Sequence, residues 1–230
     1  MSDPGNIIPF NPLERKHLGA SVADALLATA AQPLGSVPPF IGAGIYAIYY
    51  IGELPCYQPL AAANRGGRFV LPIYVGKAVP KGARMGGGAG ETGKDLHKRL
   101  KEHAESVNAA ANLALDAFFC RFLVVEDIWI PLGESLLIAK FAPVWNSIVT
   151  GFGNHNPGSG RHAGARPLWD QLHPGRSWAS KLANQPVTAI ELAGQAENYL
   201  RSITIPMSPF VESDPLMPVP PRIEPESADE

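Results

Sequence analysis

Two runs of β-branched and aromatic residues, separated by a segment that must reverse the chain, constrain this sequence most. The first is Ile45, Tyr46, Ile48, Tyr49, Tyr50, Ile51; the second is Phe69, Val70, Leu71, Ile73, Tyr74, Val75. Both read as strands. The Pro/Gly/Asn-containing stretch from Gly52 to Arg68 reads as the connection that brings them back alongside each other. Because a strand sends alternate side chains to opposite faces, Tyr46 and Tyr74 are placed to stand on one face of an antiparallel pair.

Further elements follow from periodicity. Asn11-Pro12 caps a helix that runs to about Ala31 through Leu18, Val22, Leu26 and Leu27. Its expected role is to cover the core or a partner subunit. Residues 95–110 form an amphipathic helix with Leu96, Leu100, Ala104 and Val107 as its stripe. Phe118–Val125 reads as a third strand. Pro131 opens a helix that Pro143 ends, and Val187–Ser202 is the last helix. The expected class is α+β, a small antiparallel sheet of about three core strands flanked by helices. The domain reading is an N-terminal arm over 1–40, a core over 41–150, an extension over 151–204 and a Pro-rich acidic tail over 205–230.

A net charge of −2 argues by itself against a nucleic-acid partner. The distribution changes that reading. Between Lys77 and Lys101, seven basic residues stand against Glu91 and Asp95, a local +5; from Ile205 onward Arg222 stands against six acidic residues, a local −5. A basic face is the quantity that matters for phosphate binding. Lys81 and Arg84 lie in a glycine-rich stretch, 79–94, expected to be a mobile basic loop near a phosphodiester backbone; Gly93-Lys94 is followed by Asp95, which does not complete a P-loop. Cys56 and Cys120 are isolated in sequence, and with no apolar run long enough for a membrane span and no signal-peptide pattern, a reducing cytoplasm is expected.

Two helices carry groups with chemical potential. Arg99 and His103 are four residues apart, with His103 inside the apolar stripe and Arg99 at its edge, so both are aimed at the sheet. A core histidine beside a snorkelling arginine is the structural alternative. Glu134 leads the face made with Leu137, Ile138 and Phe141. A carboxylate there must be paired or metal-bound. A single carboxylate with water suits Mg²⁺, and one-metal chemistry better than a two-metal clamp.

Taken in order, Gly44-Ile45-Tyr46, Tyr74-Val75-Gly76-Lys77, Arg99, His103, Glu134 and Asn146 (after Pro143-Val144-Trp145) resemble the GIY-YIG nuclease superfamily. Tyr50-Ile51-Gly52 spells a competing half-motif, but in the same strand as Tyr46, so Tyr74-Val75-Gly76 is taken as the partner. Many relatives carry Tyr where His103 stands. His103, the long insertions and Trp169-Asp170-Gln171-Leu172-His173-Pro174-Gly175-Arg176 are similar to the type II restriction endonucleases that cut a CCGCGG-like palindrome. The core resemblance spans about Ile41 to Thr150, and the branch resemblance reaches about Trp178.

The resemblance implies hydrolysis of a DNA phosphodiester. Glu134 would hold Mg²⁺ and Arg99 would clamp a phosphate oxygen. Tyr46 or His103 would be the general base, with Lys77, His103 or the metal lowering the phenol pKa. Tyr74 and Asn146 would orient water and Glu134. Arg161, His162, Arg166, His173 and Arg176 are expected to read a GC-rich site, with plain phosphate contact as the alternative for each. Zinc binding by His155, His162 and His173 is disfavoured by their spacing. The reading is a Mg²⁺-dependent restriction enzyme acting on double-stranded DNA as a homodimer; the alternatives are a structure-specific repair or recombination nuclease and an inactive DNA-binding module.

Overall fold

The computed structural model describes residues 11–80, 93–156 and 164–203. Four antiparallel strands form one sheet: β1 (Gln32–Pro33), β2 (Gly44–Tyr50), β3 (Tyr74–Ala78) and β4 (Phe118–Val124), in the order β1-β4-β2-β3. Seven α-helices accompany it among the described residues: α1 (Arg15–Ala28), α2 (Gln58–Asn64), α3 (Asp95–Ala109), α4 (Ile130–Phe141), α5 (Val144–Ser147), α6 (Leu168–Leu172) and α7 (Ala189–Ser202). The α+β class holds. The strand missing from the sequence reading is β1, two residues long, one of them proline, and therefore without an alternating pattern to detect.

Every residue of β2 is buried. Both of its faces are consequently covered, which an antiparallel sheet needs only when helices pack on each side. On one face Tyr46 meets His103 of α3. On the other, Ile45 packs under α4, where Gly133 lies against Ile45 and against Val22 of α1. Thus α1, expected to cover either the core or a partner, covers the core, with Ala20, Ala23 and Leu26 buried.

The second motif strand begins later than its composition suggests. Tyr74, not Phe69, is its first residue. Phe69 has φ +43, in the left-handed region, and Pro72 supplies no N–H for a ladder. The 69–73 stretch is held instead by Asn64, which is wholly buried. Its Oδ1 accepts Leu71 N–H at 2.9 Å, and its Nδ2 donates to Leu71 O at 2.8 Å and Tyr50 O at 3.1 Å. The chain-reversing connection expected over Gly52–Arg68 contains α2, which carries this asparagine and packs against α7.

Strand β3 is an edge of the sheet, and Asn146 covers it in the same way. Its Oδ1 accepts Val75 N–H at 2.9 Å, and its Nδ2 donates to Val75 O at 2.9 Å. The end of α4 is set by Ala142 in the left-handed region followed by Pro143, and α7 opens with a capping box between Thr188 and Glu191. The 151–203 extension shares the core, since Trp169, Leu172, Leu192, Ala196 and Leu200 join one cluster with Trp145 and Phe152. Cys56 and Cys120 are free and buried. No helix among the described residues is long and apolar enough to cross a membrane.

Asn64→Ala leaves buried backbone groups of Leu71 and Tyr50 without partners. We expect it to destabilise the protein by about 2–4 kcal/mol, measured by urea unfolding. An unchanged unfolding midpoint and slope would show that the asparagine bridge does not hold the loop.

Candidate active site

The antiparallel register puts Tyr46 opposite Gly76 and Tyr74 opposite Ile48, so both phenols project to one face, on the diagonal. Their ring centroids are 6.2 Å apart. Gly76 is required by this packing: a Cβ there would collide with the Tyr46 hydroxyl and press on the Tyr74 ring. The glycine of the second half-motif is thus the space that the two tyrosines share. The competing Tyr50 lies at the far end of β2, where it packs on Tyr57 and Phe118.

Helix α3 buries Leu96, Leu100, His103, Ala104 and Val107, so His103 lies in the apolar stripe. Its Nε2 is 2.6 Å from Tyr46 Oη. Tyr46 is 0 % and His103 1 % exposed. Burial pushes the Tyr46 hydroxyl well above the usual phenol range, and the charge of Tyr74 adds to that; Arg99 opposes it. Burial also holds His103 well below the usual histidine range, with Arg99 as the next cause. Tyr46 is therefore a neutral phenol hydrogen-bonded to a neutral imidazole.

Tyr74 is only partly buried. Its pKa is raised, by burial first and by Glu134 in the opposite sense to Arg99, while a hydrogen bond involving Tyr46 lowers it. The two hydroxyls thus adjoin, and the Tyr74 phenol senses both Glu134 and Arg99. The expected lowering of the Tyr46 pKa does not occur in the free protein, because desolvation outweighs the nearby cation.

Arg99 is partly buried and engaged with a strap at residues 151–155. It donates through Nη2 to Gly153 O (2.7 Å), and through Nη1 to His155 Nε2 (2.6 Å) and Glu102 Oε2 (3.2 Å). Phe152 of the strap stacks on His103 with centroids 4.4 Å apart and planes at 19°. Beside the strap lies an open hollow of about 620 Å³, lined by Asn154, His155, Asn156, Pro167 and Trp178 among others.

Glu134 borders the buried stripe of α4, which is Ile130, Gly133, Leu137 and Phe141. Its Oε2 is 2.6 Å from Lys77 Nζ. The carboxylate that the sequence required to be paired or metal-bound is thus paired with the lysine following the second half-motif. The pair is open to solvent on one side, Lys77 at 38 % and Glu134 at 18 % side-chain exposure. No cluster of three or more His, Cys, Asp or Glu suited to a metal occurs among the described residues. A lone carboxylate still fits Mg²⁺, which keeps several waters and takes few protein ligands. Asn146, expected to orient water or Glu134, has both ends of its amide on Val75 and so positions the strand carrying Tyr74.

A family model described as the Eco29kI GIY-YIG domain matches residues 38–200, most of the chain. The chain belongs to this family. It is therefore a nuclease of the restriction-endonuclease type, with DNA as substrate. Comparison with curated proteins gives no match.

Within this Eco29kI-type domain, three residues expected on base edges are engaged by the protein itself, His173 and Arg176 buried and Arg166 half-buried. Arg166 donates to the carbonyls of Ala179 (3.1 Å), Ser180 (3.3 Å) and Leu182 (3.4 Å). His173 is wholly buried and lies in a chain in which Trp145 donates to Tyr57 Oη (2.8 Å), Tyr57 Oη meets His173 Nε2 (2.7 Å), and His173 Nδ1 meets Asn112 Oδ1 (3.0 Å). Arg176, 6 % exposed, forms a buried ion pair with Asp170. These letters looked like readers because arginine and histidine have the same sequence signature whether they face DNA or backbone carbonyls. The signal that separates them is the flanking Trp169, Asp170 and Trp178, which supply an internal counter-ion and stacking partners. Lys81, Arg84, Arg161 and His162 lie outside the described residues.

Two buried neutral histidines make stability fall on acidification. Burial lowers His173 to about 3, and His103 is lowered too. Below about 6.5, the ordinary value, the unfolded chain binds protons that the folded chain refuses. Each histidine then removes about 1.4 kcal/mol per pH unit until its folded pKa is reached. Denaturant unfolding at pH 7, 6 and 5 measures the slope, and His173→Gln should reduce it. Equal slopes for that variant and the parent would show that His173 is not buried as a neutral ring.

Proposed function

We propose that this endonuclease is a type II restriction enzyme that makes Mg²⁺-dependent double-strand cuts in a GC-rich palindrome as a homodimer. The observation that carries the catalytic part is the Tyr46–His103 hydrogen bond beside Tyr74, Arg99 and the Lys77–Glu134 pair. A buried phenol–imidazole pair also occurs at Tyr57–His173, so what favours catalysis over an inactive DNA-binding module is the gathering of Tyr74, Arg99 and the Lys77–Glu134 pair around Tyr46–His103.

In this reading Tyr74, the more exposed phenol, contacts the attacking water. As its hydroxyl accepts a proton, its own passes to Tyr46, and that of Tyr46 to His103 Nε2. The hydroxide left behind attacks phosphorus, and the departing sugar oxygen takes a proton from solvent. Relay through neutral phenols needs no free phenolate, which burial disfavours. Arg99 clamps a nonbridging phosphate oxygen once it releases the strap carbonyl. Glu134 would hold Mg²⁺, which supplies Lewis-acid neutralisation of charge on the phosphate. Lys77 then gives up its carboxylate partner and adds a cation near the same phosphate.

Palindrome cutting rests on the family and on geometry: one chain carries one Tyr46/Arg99/Glu134 set, so cutting both strands together needs two sets related by two-fold symmetry. The engagement of Arg166, His173 and Arg176 by the protein's own groups favours a second reading to be kept beside it, a structure-specific nuclease on the same core.

Digestion of mixed-sequence plasmid with and without Mg²⁺ separates these readings. Discrete linear bands with little nicked intermediate, and light scattering at twice the chain mass on DNA, are expected. Nicked circles from a monomer would favour the structure-specific enzyme, and no cutting of any DNA would favour the inactive module. Glu134→Gln should abolish cleavage while leaving metal-free DNA binding intact; near-normal cutting by that variant would remove the metal role of Glu134.

A further inference from the structure

Every N–H of the Arg176 guanidinium has a partner. Nε donates to Asp170 Oδ1 at 2.6 Å, and Nη2 donates to the other Asp170 oxygen and to Gly151 O at 3.1 Å. Nη1 donates to Phe152 O at 2.9 Å and Asn154 O at 3.1 Å. Five donors is the full capacity of the group. The guanidinium carbon also lies 4.6 Å from the Trp169 ring and 4.7 Å from the Trp178 ring. Such a group cannot offer a fork to a base edge without dismantling its own surroundings.

What Arg176 grips is the strap itself. The three carbonyls it holds belong to Gly151, Phe152 and Asn154. Between them lie the two strap features that touch the reaction centre. The Phe152 ring stacks on His103 and stands edge-on to Tyr74 at 5.1 Å and 81°. The Gly153 carbonyl receives Arg99 Nη2. Gly175, immediately before Arg176, packs so closely on the end of α3 that a Cβ would collide with the Ala109 carbonyl, and Pro174 O accepts Ala111 N–H at 2.8 Å. The Arg176 anchor is thereby fixed to the same helix that carries Arg99 and His103.

We propose that Arg176 and Asp170 are positioning residues for DNA cleavage, acting through the 151–155 strap to set the His103 ring and to hold Arg99 poised beside it until a phosphate takes the place of the strap carbonyl. The inference rests on the nuclease reading above, and its test separates the two. An ion pair needed only for stability would have no reason to hold three strap carbonyls, those of Gly151, Phe152 and Asn154, around the Phe152 ring that stacks on His103. The geometry is also one that lysine cannot supply, since an ammonium has three donors at a point and no plane to lie between two indoles.

Arg176→Lys and Phe152→Leu test the inference in the full-length protein. The first keeps charge opposite Asp170 and loses the fork. The second keeps apolar burial and loses the stacking plane. Four quantities are compared with the parent: single-turnover cleavage rate, metal-free DNA affinity, thermal midpoint, and the NMR signals of the His103 ring. Both variants are expected to remain folded and bind DNA with little change. Cleavage should slow by about 10- to 100-fold, and the His103 signals should shift in both. A folded Arg176→Lys protein that cuts bound DNA at the parental rate but no longer distinguishes the preferred site from scrambled sequence would overturn the proposal in favour of base reading. Parental rates and unshifted His103 signals in both variants would overturn it as well. If Arg176→Lys does not fold, Phe152→Leu alone decides by the same two readouts. If the parent itself cuts no DNA, the nuclease reading fails, and the His103 signals still decide whether the strap sets that ring.

Discussion

The complete burial of β2 governs this structure. Seven consecutive residues out of water leave no solvent face for the strand, so its alternating side chains serve two different layers. Ile45 supplies the α4 side and Tyr46 the α3 side. A polar hydroxyl at position 46 must then find a partner within the protein, because an unpaired buried hydroxyl is costly. His103 is that partner. The same constraint that builds the sheet thus makes the first motif tyrosine part of a hydrogen-bonded pair, and it explains why the neighbouring strand has glycine at the point of closest approach.

Much of this was legible from sequence because it follows from period and from motif. The helix over 95–109 could be placed by its Leu/Ala/Val stripe, and His103 fell inside that stripe by counting turns. The pairing of Tyr46 with the second half-motif followed from strand alternation. What could not be read is structure made by single side chains. Asn64 and Asn146 each behave as a one-residue strand, bonding both backbone groups of Leu71 and Val75, and no periodicity announces them. The late start of β3 follows from a positive φ at Phe69, which an aromatic residue in a β-rich run conceals. Two-residue β1 is shorter than any pattern.

The arginines show a further limit. Sequence gives their number and neighbourhood but not their counter-charges. Arg99 lies at a helix edge, with partners on the strap that a phosphate can replace: two hydrogen bonds to exposed or half-exposed groups and one to Glu102. Arg176 has a carboxylate on the preceding helix α6 and three carbonyls it cannot easily leave. On the proposed reading the first is available for substrate, while the second is held as architecture, although both are arginines in polar surroundings. Counting donors against partners distinguishes them where composition does not.

The remaining question for the proposed proton route is how a histidine held below its ordinary range can accept a proton at all. Two causes depress it, and they respond differently to substrate. Desolvation, the larger, persists when DNA covers the site. The positive charge of Arg99, the next, would be offset by a phosphate oxygen bound as proposed, and His103 would then be a stronger base than in the free protein. On the proposed route the Tyr46 proton needs to move only along the existing 2.6 Å hydrogen bond to His103 Nε2. Along this proposed route the free protein thus keeps its base weak and covered, and the phosphate to be cleaved brings the charge that strengthens it.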